Sequence, residues 1–233
     1  VGWMMSGMRA PERGAGTNVP AEGGGRPAPS CLVWAGVSRA FAGGVGSLVN
    51  YQFLRRGVAA VEKGYLIDDS GPVFPSSGYS KPLHNMIRAA WNLDSLKADM
   101  PEGFTLDDMG TINTALADEF PNDRLATTFF RRDYNFSLYS YERFYNFPPK
   151  AEILRMWDAD TQLLVQQYDT RDNLYYFIPY YRNINDSHCT TVLNFAGSNI
   201  EEKNMTLAQW IGDFVDDRKV ESMMEAPVPG EDP

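Results

Sequence analysis

Residues 31–56, Cys31 to Arg56, read CLVWAGVSRAFAGGVGSLVNYQFLRR and form the longest nearly uncharged run in the chain. From Leu32 to Leu54 the run has 23 residues and one charge, Arg39. As a helix it is long enough to cross a hydrocarbon core of about 30 Å. Small residues recur at four-residue spacing: Gly36, Ala40 and Gly44 make one row, Ala42 with Gly46 a second, Gly43 with Ser47 a third. Such rows let another helix backbone approach closely. They define a candidate helix-packing interface of Gly36, Ala40, Gly43, Gly44, Gly46 and Ser47. Arg55 and Arg56 close the run and are the candidate membrane-interface or lipid-headgroup residues. Arg39 opposes a membrane span, since a central arginine costs about 2.5–3.5 kcal/mol on insertion scales. A span would turn it toward protein or water. The competing reading is a Gly/Ala-rich helix packed in water against a larger protein.

The run separates two regions of opposite charge. Residues 1–61 hold six arginines, no lysine and two acids, a net of +4, while residues 62–233 hold 15 bases and 28 acids, a net of −13. An arginine-biased, acid-poor beginning has the composition of an organellar import segment and its neighbourhood. An acidic body lacks the positive field that phosphate binding needs, so no nucleic acid is expected as a partner.

Upstream, residues 1–30 read as an extended Gly/Pro-rich arm that buries too little apolar surface to order itself. Residues 31–63 are the Gly/Ala-rich apolar helix, and 64–80, with Asp68-Asp69-Ser70-Gly71-Pro72, a turn-rich connector. Residues 81–220 form an acidic helical body, and 221–233 a loose acidic tail. Within the body, Pro82 and the stripe Leu83, Met86, Ile87, Ala90 predict a helix to about Asp99. Thr105 to Asp108 nearly forms a capping box ahead of Met109, Ile112, Leu116 and Phe120. Lys150 to Tyr168 predicts a long helix, and the Thr206–Gln209 capping box starts another. Asn173–Ile178 and Cys189–Phe195 are the strand candidates, expected to pair as an antiparallel hairpin across Arg182–His188. The expected fold is mainly α with a minor antiparallel β-hairpin, an irregular α+β body behind the arm and the candidate transmembrane helix.

Residues 129–147, FFRRDYNFSLYSYERFYNF, pack nine aromatics into nineteen positions. Interleaved with arginine they invite base stacking, but the acidic body favours a core or a protein interface. The chemistry-bearing residues are few. His84 and His188 are the two histidines, Cys31 and Cys189 the two cysteines, with no CxxC spacing. His188 and Cys189, as neighbours on a strand, would point to opposite faces, which argues against a nucleophilic dyad. The acid pairs Asp68/Asp69, Asp107/Asp108, Asp158/Asp160 and Asp216/Asp217 lack calcium-loop spacing. No HExxH, Walker loop or GxSxG is present. The expected catalytic, cofactor and metal sites are therefore none.

These features together predict a non-catalytic accessory subunit of a large assembly at the mitochondrial inner membrane, of the respiratory-chain or ATP-synthase kind. Its partners would be other subunits, with anionic lipid as a further contact at Arg55 and Arg56. The alternatives are a viral or other shell protein, and a soluble α+β enzyme whose site has no motif.

Overall fold

The computed structural model describes residues 42–58, 61–193, 198–228 and 230. The arm and residues 31–41 of the apolar run lie outside them. Four parallel strands organise the rest: β1 (Tyr65–Asp69), β2 (Arg124–Thr128), β3 (Leu174–Ile178) and β6 (Met223–Met224), in the order β1-β2-β3-β6. The register sets Leu66 beside Leu125, Leu125 beside Leu174, and Asp69 beside Thr128. A separate antiparallel pair joins β4 (Asn199–Ile200) and β5 (Met205–Thr206).

Each parallel step needs a crossover. Between β1 and β2 the chain runs through α2 (Lys81–Ala90) and α3 (Thr111–Glu119), and between β2 and β3 through α4 (Tyr134–Tyr141) and α5 (Lys150–Tyr168). Between β3 and β6 come α6 (Thr190–Leu193), the β4–β5 pair and α7 (Leu207–Val215). The pleat sends alternate residues to opposite faces. Leu66, Leu125, Leu174 and Ile178 pack with Leu48, Leu116, Trp157 and Leu164 on one face. Tyr65, Ala126 and Phe177 pack with Leu207, Trp210 and Phe214 of α7 on the other. The result is a three-layer α/β/α arrangement.

The expected fold class is thereby overturned. The sheet has four parallel strands rather than one antiparallel hairpin. β3 lies where a strand was expected, but it pairs in parallel with β2 and β6. Cys189–Phe195 is not its partner, since Thr190–Leu193 is helical. β1 and β2 escaped a sequence reading because each is five residues long. YLIDD ends in two acids and RLATT opens on arginine, so neither shows the apolar run usual for a buried parallel strand. The helix from 81 also divides: α2 ends at Ala90, and Leu93–Asp99 is a 3-10 segment after Asn92 at φ 51°. The helices at Lys150–Tyr168 and after the Thr206 capping box fall where the sequence puts them.

No described helix is long and apolar enough to cross a membrane. α1 (Ala42–Gly57), the described part of the opening run, packs on β1 instead. Its far end is held by carboxylates of the chain. Asp123 accepts from Tyr51 Oη at 2.7 Å, Arg55 Nε at 2.7 Å and the Gly64 amide at 2.6 Å. Glu119 takes Arg56 Nε at 2.7 Å. Its near end sits against the exit of β1. A Cβ on Gly44 would lie 2.2 Å from Asp68 Oδ1 and 2.5 Å from the Asp69 carbonyl, and one on Gly71 would lie 2.2 Å from the Val45 amide. α1 therefore runs antiparallel to β1 and starts at the C-terminal edge of the sheet.

The aromatic run of 129–147 supplies much of the core. Trp157 is surrounded by Phe74 at 4.8 Å, Phe136 at 5.5 Å, Phe129 at 5.6 Å and Tyr141 at 6.4 Å between ring centroids. Such edge-on and tilted pairs add about 0.5–1.5 kcal/mol each beyond their burial.

The two glycines of α1 make a matched test of this packing. Gly44→Ala forces its methyl against the Asp68 carboxylate and the backbone of Asp69 and Gly71 and destabilises the fold by about 1–3 kcal/mol in urea unfolding. Gly46→Ala meets nothing within 4 Å and raises stability by up to about 1 kcal/mol through helix propensity. Equal effects at the two positions would contradict the close approach.

Candidate functional site

In open parallel sheets, ligands bind beyond the carboxyl ends of the strands. Three loops of this chain meet there. From β2 the chain continues through Phe129 and Phe130, both buried, to Asp133. Asp133 is the N-cap of α4, with Oδ1 accepting from the Phe136 amide at 2.8 Å. An aspartate suits that position because its carboxylate satisfies an amide that the first turn leaves open. Its other oxygen, Oδ2, is 2.7 Å from His188 Nδ1. His188 arrives from the exit of β3, and both residues are buried.

Burial pushes the Asp133 carboxyl up to about 6, against the pull of His188. Burial lowers the His188 imidazole, but the hydrogen bond and charge of Asp133, with a further contribution from Cys189, outweigh it and lift the group to about 10. The direction for the pair is clear: the carboxylate favours the protonated ring. In neutral imidazole the same bond places the proton on Nδ1 and leaves the lone pair on Nε2.

The backbone that delivers His188 is strained. Asn185, Asp186 and Ser187 have φ of 49°, 51° and 53°, and Cys189 has φ of 68°. Left-handed backbone disfavours side chains with a Cβ by roughly 1–2 kcal/mol each. Such geometry persists only where the surroundings over-determine it, and it clusters at functional sites. Upstream of the ring, Ser187 Oγ accepts from the Arg182 amide at 2.8 Å and donates to the Arg182 carbonyl at 2.6 Å. Downstream, the Cys189 amide donates to Ser70 Oγ at 3.0 Å. Asp69 accepts from the amides of Thr190 and Thr191 at 3.0 Å each and from both hydroxyls. Bonds to a charged acceptor contribute about 1.5–3 kcal/mol each, enough together to hold a strained turn.

Asp68, next to Asp69, points to the opposite face and is fully buried. Neither of its oxygens has a hydrogen-bond partner among the described residues. Burial first, and the charge of Asp69 second, push its carboxyl up to about 8; the nearby Gly71 amide and Thr127 hydroxyl offset this only in part.

The structure disperses the residues singled out by sequence. Gly36 and Ala40 lie outside the described residues. Gly43 and Gly44 lie in the first turn of α1, and Gly44 faces this chain's own β1 exit. Gly46 has open space at its Cα and Ser47 is half-buried. Arg55 and Arg56 are engaged by Asp123 and Glu119. Of the acid pairs, Asp158 meets Arg131 at 2.5 Å, and Asp160 accepts from the Tyr79 and Ser80 amides and from Tyr141. Cys189 is not on a strand, so the alternation argument that separated it from His188 does not apply. Asp133 was missed altogether. Its one sequence signal is an aspartate three residues after a Phe-Phe pair and just before a helical stretch. Among the described residues no group of three or more His, Cys, Asp or Glu side chains could hold a metal ion.

No family model matches this chain, and no significant match was found among curated proteins or among solved structures.

Asp68 predicts a pH dependence of stability. Its folded-state value near 8 lies above the ordinary 3.8, so the native state favours the protonated form. That contribution is complete below about pH 4 and is lost as pH rises through 8. Thermal melts should therefore show Asp68→Asn losing less stability than the parent between pH 6 and 9. Parallel curves for the two proteins would refute the assignment.

Proposed function

We propose that this protein is a hydrolase of the nucleophile–histidine–aspartate type, with His188 as general base and Asp133 as the carboxylate that orients it. The observation supporting this is the buried 2.7 Å Asp133–His188 bond, formed by loops leaving two neighbouring parallel strands at their C-terminal ends. In α/β-hydrolases the triad runs nucleophile, acid, histidine along the chain, and the nucleophile sits on a strand-to-helix turn. Here the acid follows β2 and the histidine follows β3. α1 begins against Gly71 and Asp69, the residue that grips the His188 segment. The resemblance is one of order and geometry, and the proposed activity rests on the site.

The residues just before α1 lie outside those described. In sequence, residues 37–41 hold one hydroxyl, Ser38, within Gly36-Val37-Ser38-Arg39-Ala40, which departs from GxSxG at its last position. Four peptide steps, a reach of up to ~14 Å when extended, separate Ser38 from Ala42, and Ser38 is the nucleophile that the sequence offers here. The substrate class is a carboxylic ester. Ser38 Oγ attacks the carbonyl carbon as its proton passes to His188 Nε2. The C–O bond to the alcohol then breaks as Nε2 returns the proton to the leaving oxygen. Water repeats the sequence on the acyl-enzyme, releasing the acid and restoring Ser38. Asp133 stays ionised and stabilises the imidazolium.

A second reading, the accessory subunit of an inner-membrane assembly, has one observation in its favour. Phe53, Leu54 and Val58, near the end of α1, are 42%, 44% and 39% exposed, an apolar surface of the kind a partner covers. Recovery from the source in native gels as a 26.2 kDa monomer would end that reading.

Hydrolysis of p-nitrophenyl acetate tests the first. Asp133→Asn should lower kcat by about 10⁴-fold, with His188→Ala at least as damaging. Ser38→Ala should abolish labelling by a fluorophosphonate. Because the base must be neutral and Asp133 favours its protonated form, the rising limb of the pH–rate profile should lie above the ordinary histidine value of about 6.5. Asp133→Asn should move it down. Full activity in the His188 variant would dismiss the mechanism.

A further inference from the structure

Asp69 does not touch the His188 ring, yet the backbone on the far side of that ring hangs from it. We propose that Asp69 is a positioning residue for His188, acting through Thr190 and Thr191 to fix the imidazole against Asp133. The inference rests on the hydrolase reading above for its catalytic meaning, though not for its geometry.

The two carboxylate oxygens divide the work. Oδ1 accepts from the Thr190 amide at 3.0 Å, the Thr190 hydroxyl at 2.7 Å and the Ser70 hydroxyl at 2.9 Å. Oδ2 accepts from the Thr191 amide at 3.0 Å and the Thr191 hydroxyl. Ser70 Oγ in turn receives the Cys189 amide at 3.0 Å. The amides of 189, 190 and 191, the three that follow His188, are thus all tied to the end of β1. The Thr190 hydroxyl also lies 3.0 Å from that of Thr128, the last residue of β2, five residues before Asp133. Because Asp69 and Thr128 are register partners, the loops bearing the base and its orienting acid are referenced to one rung of the sheet.

Chemistry favours an ionised acceptor here. Five donors converge on two oxygens, and a carboxylate accepts without offering a proton. An asparagine would turn an NH₂ group toward the Thr190 or Thr191 amide, donor against donor. The left-handed residues on both sides of His188 make the clamp matter for position, since a turn held against its preference relaxes when the grip loosens. A mere cap for α6 does not account for the arrangement: the same carboxylate, through Ser70, holds residue 189 ahead of that four-residue helix.

The test compares Asp69→Asn, Thr191→Val and the parent as full chains. It reads p-nitrophenyl acetate kinetics against pH, together with the downfield proton NMR line of His188 Nδ1–H, identified by its loss in His188→Ala. Asp69→Asn should lower kcat by about 10- to 100-fold with little change in KM, and broaden or abolish the line. Thr191→Val, which removes one donor, should give a smaller change in the same direction. A parent that does not turn over the ester defeats the hydrolase reading, and the NMR line then decides the positioning alone. A sharp, unshifted line with parental kcat in Asp69→Asn overturns the proposal. Should that variant fail to fold, the same result in Thr191→Val overturns it.

Discussion

The parallel register of β1 with β2 is the constraint on which the C-terminal edge of this sheet depends. It places Asp68 beside Thr127 and Asp69 beside Thr128, and the pleat then sends the two acids to opposite faces. One acid meets the start of α1 and the other the chain after His188. A slip of one residue would exchange their faces, leaving the hydroxyls and amides of Thr190 and Thr191 without their acceptor. Burial above all, and the adjacent charge of Asp69 after it, hold the Asp68 carboxyl well above the ordinary carboxylate range.

The opposite edge and the core make that register rigid. Asp123 gathers Tyr51, Arg55 and the Gly64 amide, tying the end of α1 to the start of β1 and β2. The rings packed around Trp157 join the segment leaving β2 to α5 and α4. Asp133 then serves the fold and the site at once, capping α4 with one oxygen and holding His188 with the other. Removing it therefore loosens a helix as well as the His188 ring.

Legibility in the sequence followed the local character of each signal. The helix at Lys150–Tyr168 and the capping box at Thr206 were plain, because caps and apolar stripes act within a few residues. Asn173–Ile178 was legible as a strand, since aromatics and a terminal isoleucine suit a buried pleat. β1 and β2 were not, because YLIDD ends in two acids and RLATT opens on arginine and closes on two threonines, so neither shows an apolar run although both are largely buried. The opening run read as a candidate membrane span because composition alone does not reveal that Gly44 has a strand exit to lie against. The carboxylates that engage Arg55 and Arg56 were equally out of reach of a local reading, being 68 and 63 residues away.

By itself, then, the sequence determined the long helices, their caps, the aromatic wealth of the core and the acidity of the body, each a property of neighbours along the chain. The parallel sheet, the meeting of Asp133 with His188 across 55 residues and of Asp69 with Thr190 across 121 were decided only by tertiary structure. No local pattern encodes them, since a buried carboxylate can be satisfied by any donor the fold delivers. Which donor that is depends on where β1, β2 and β3 end beside one another.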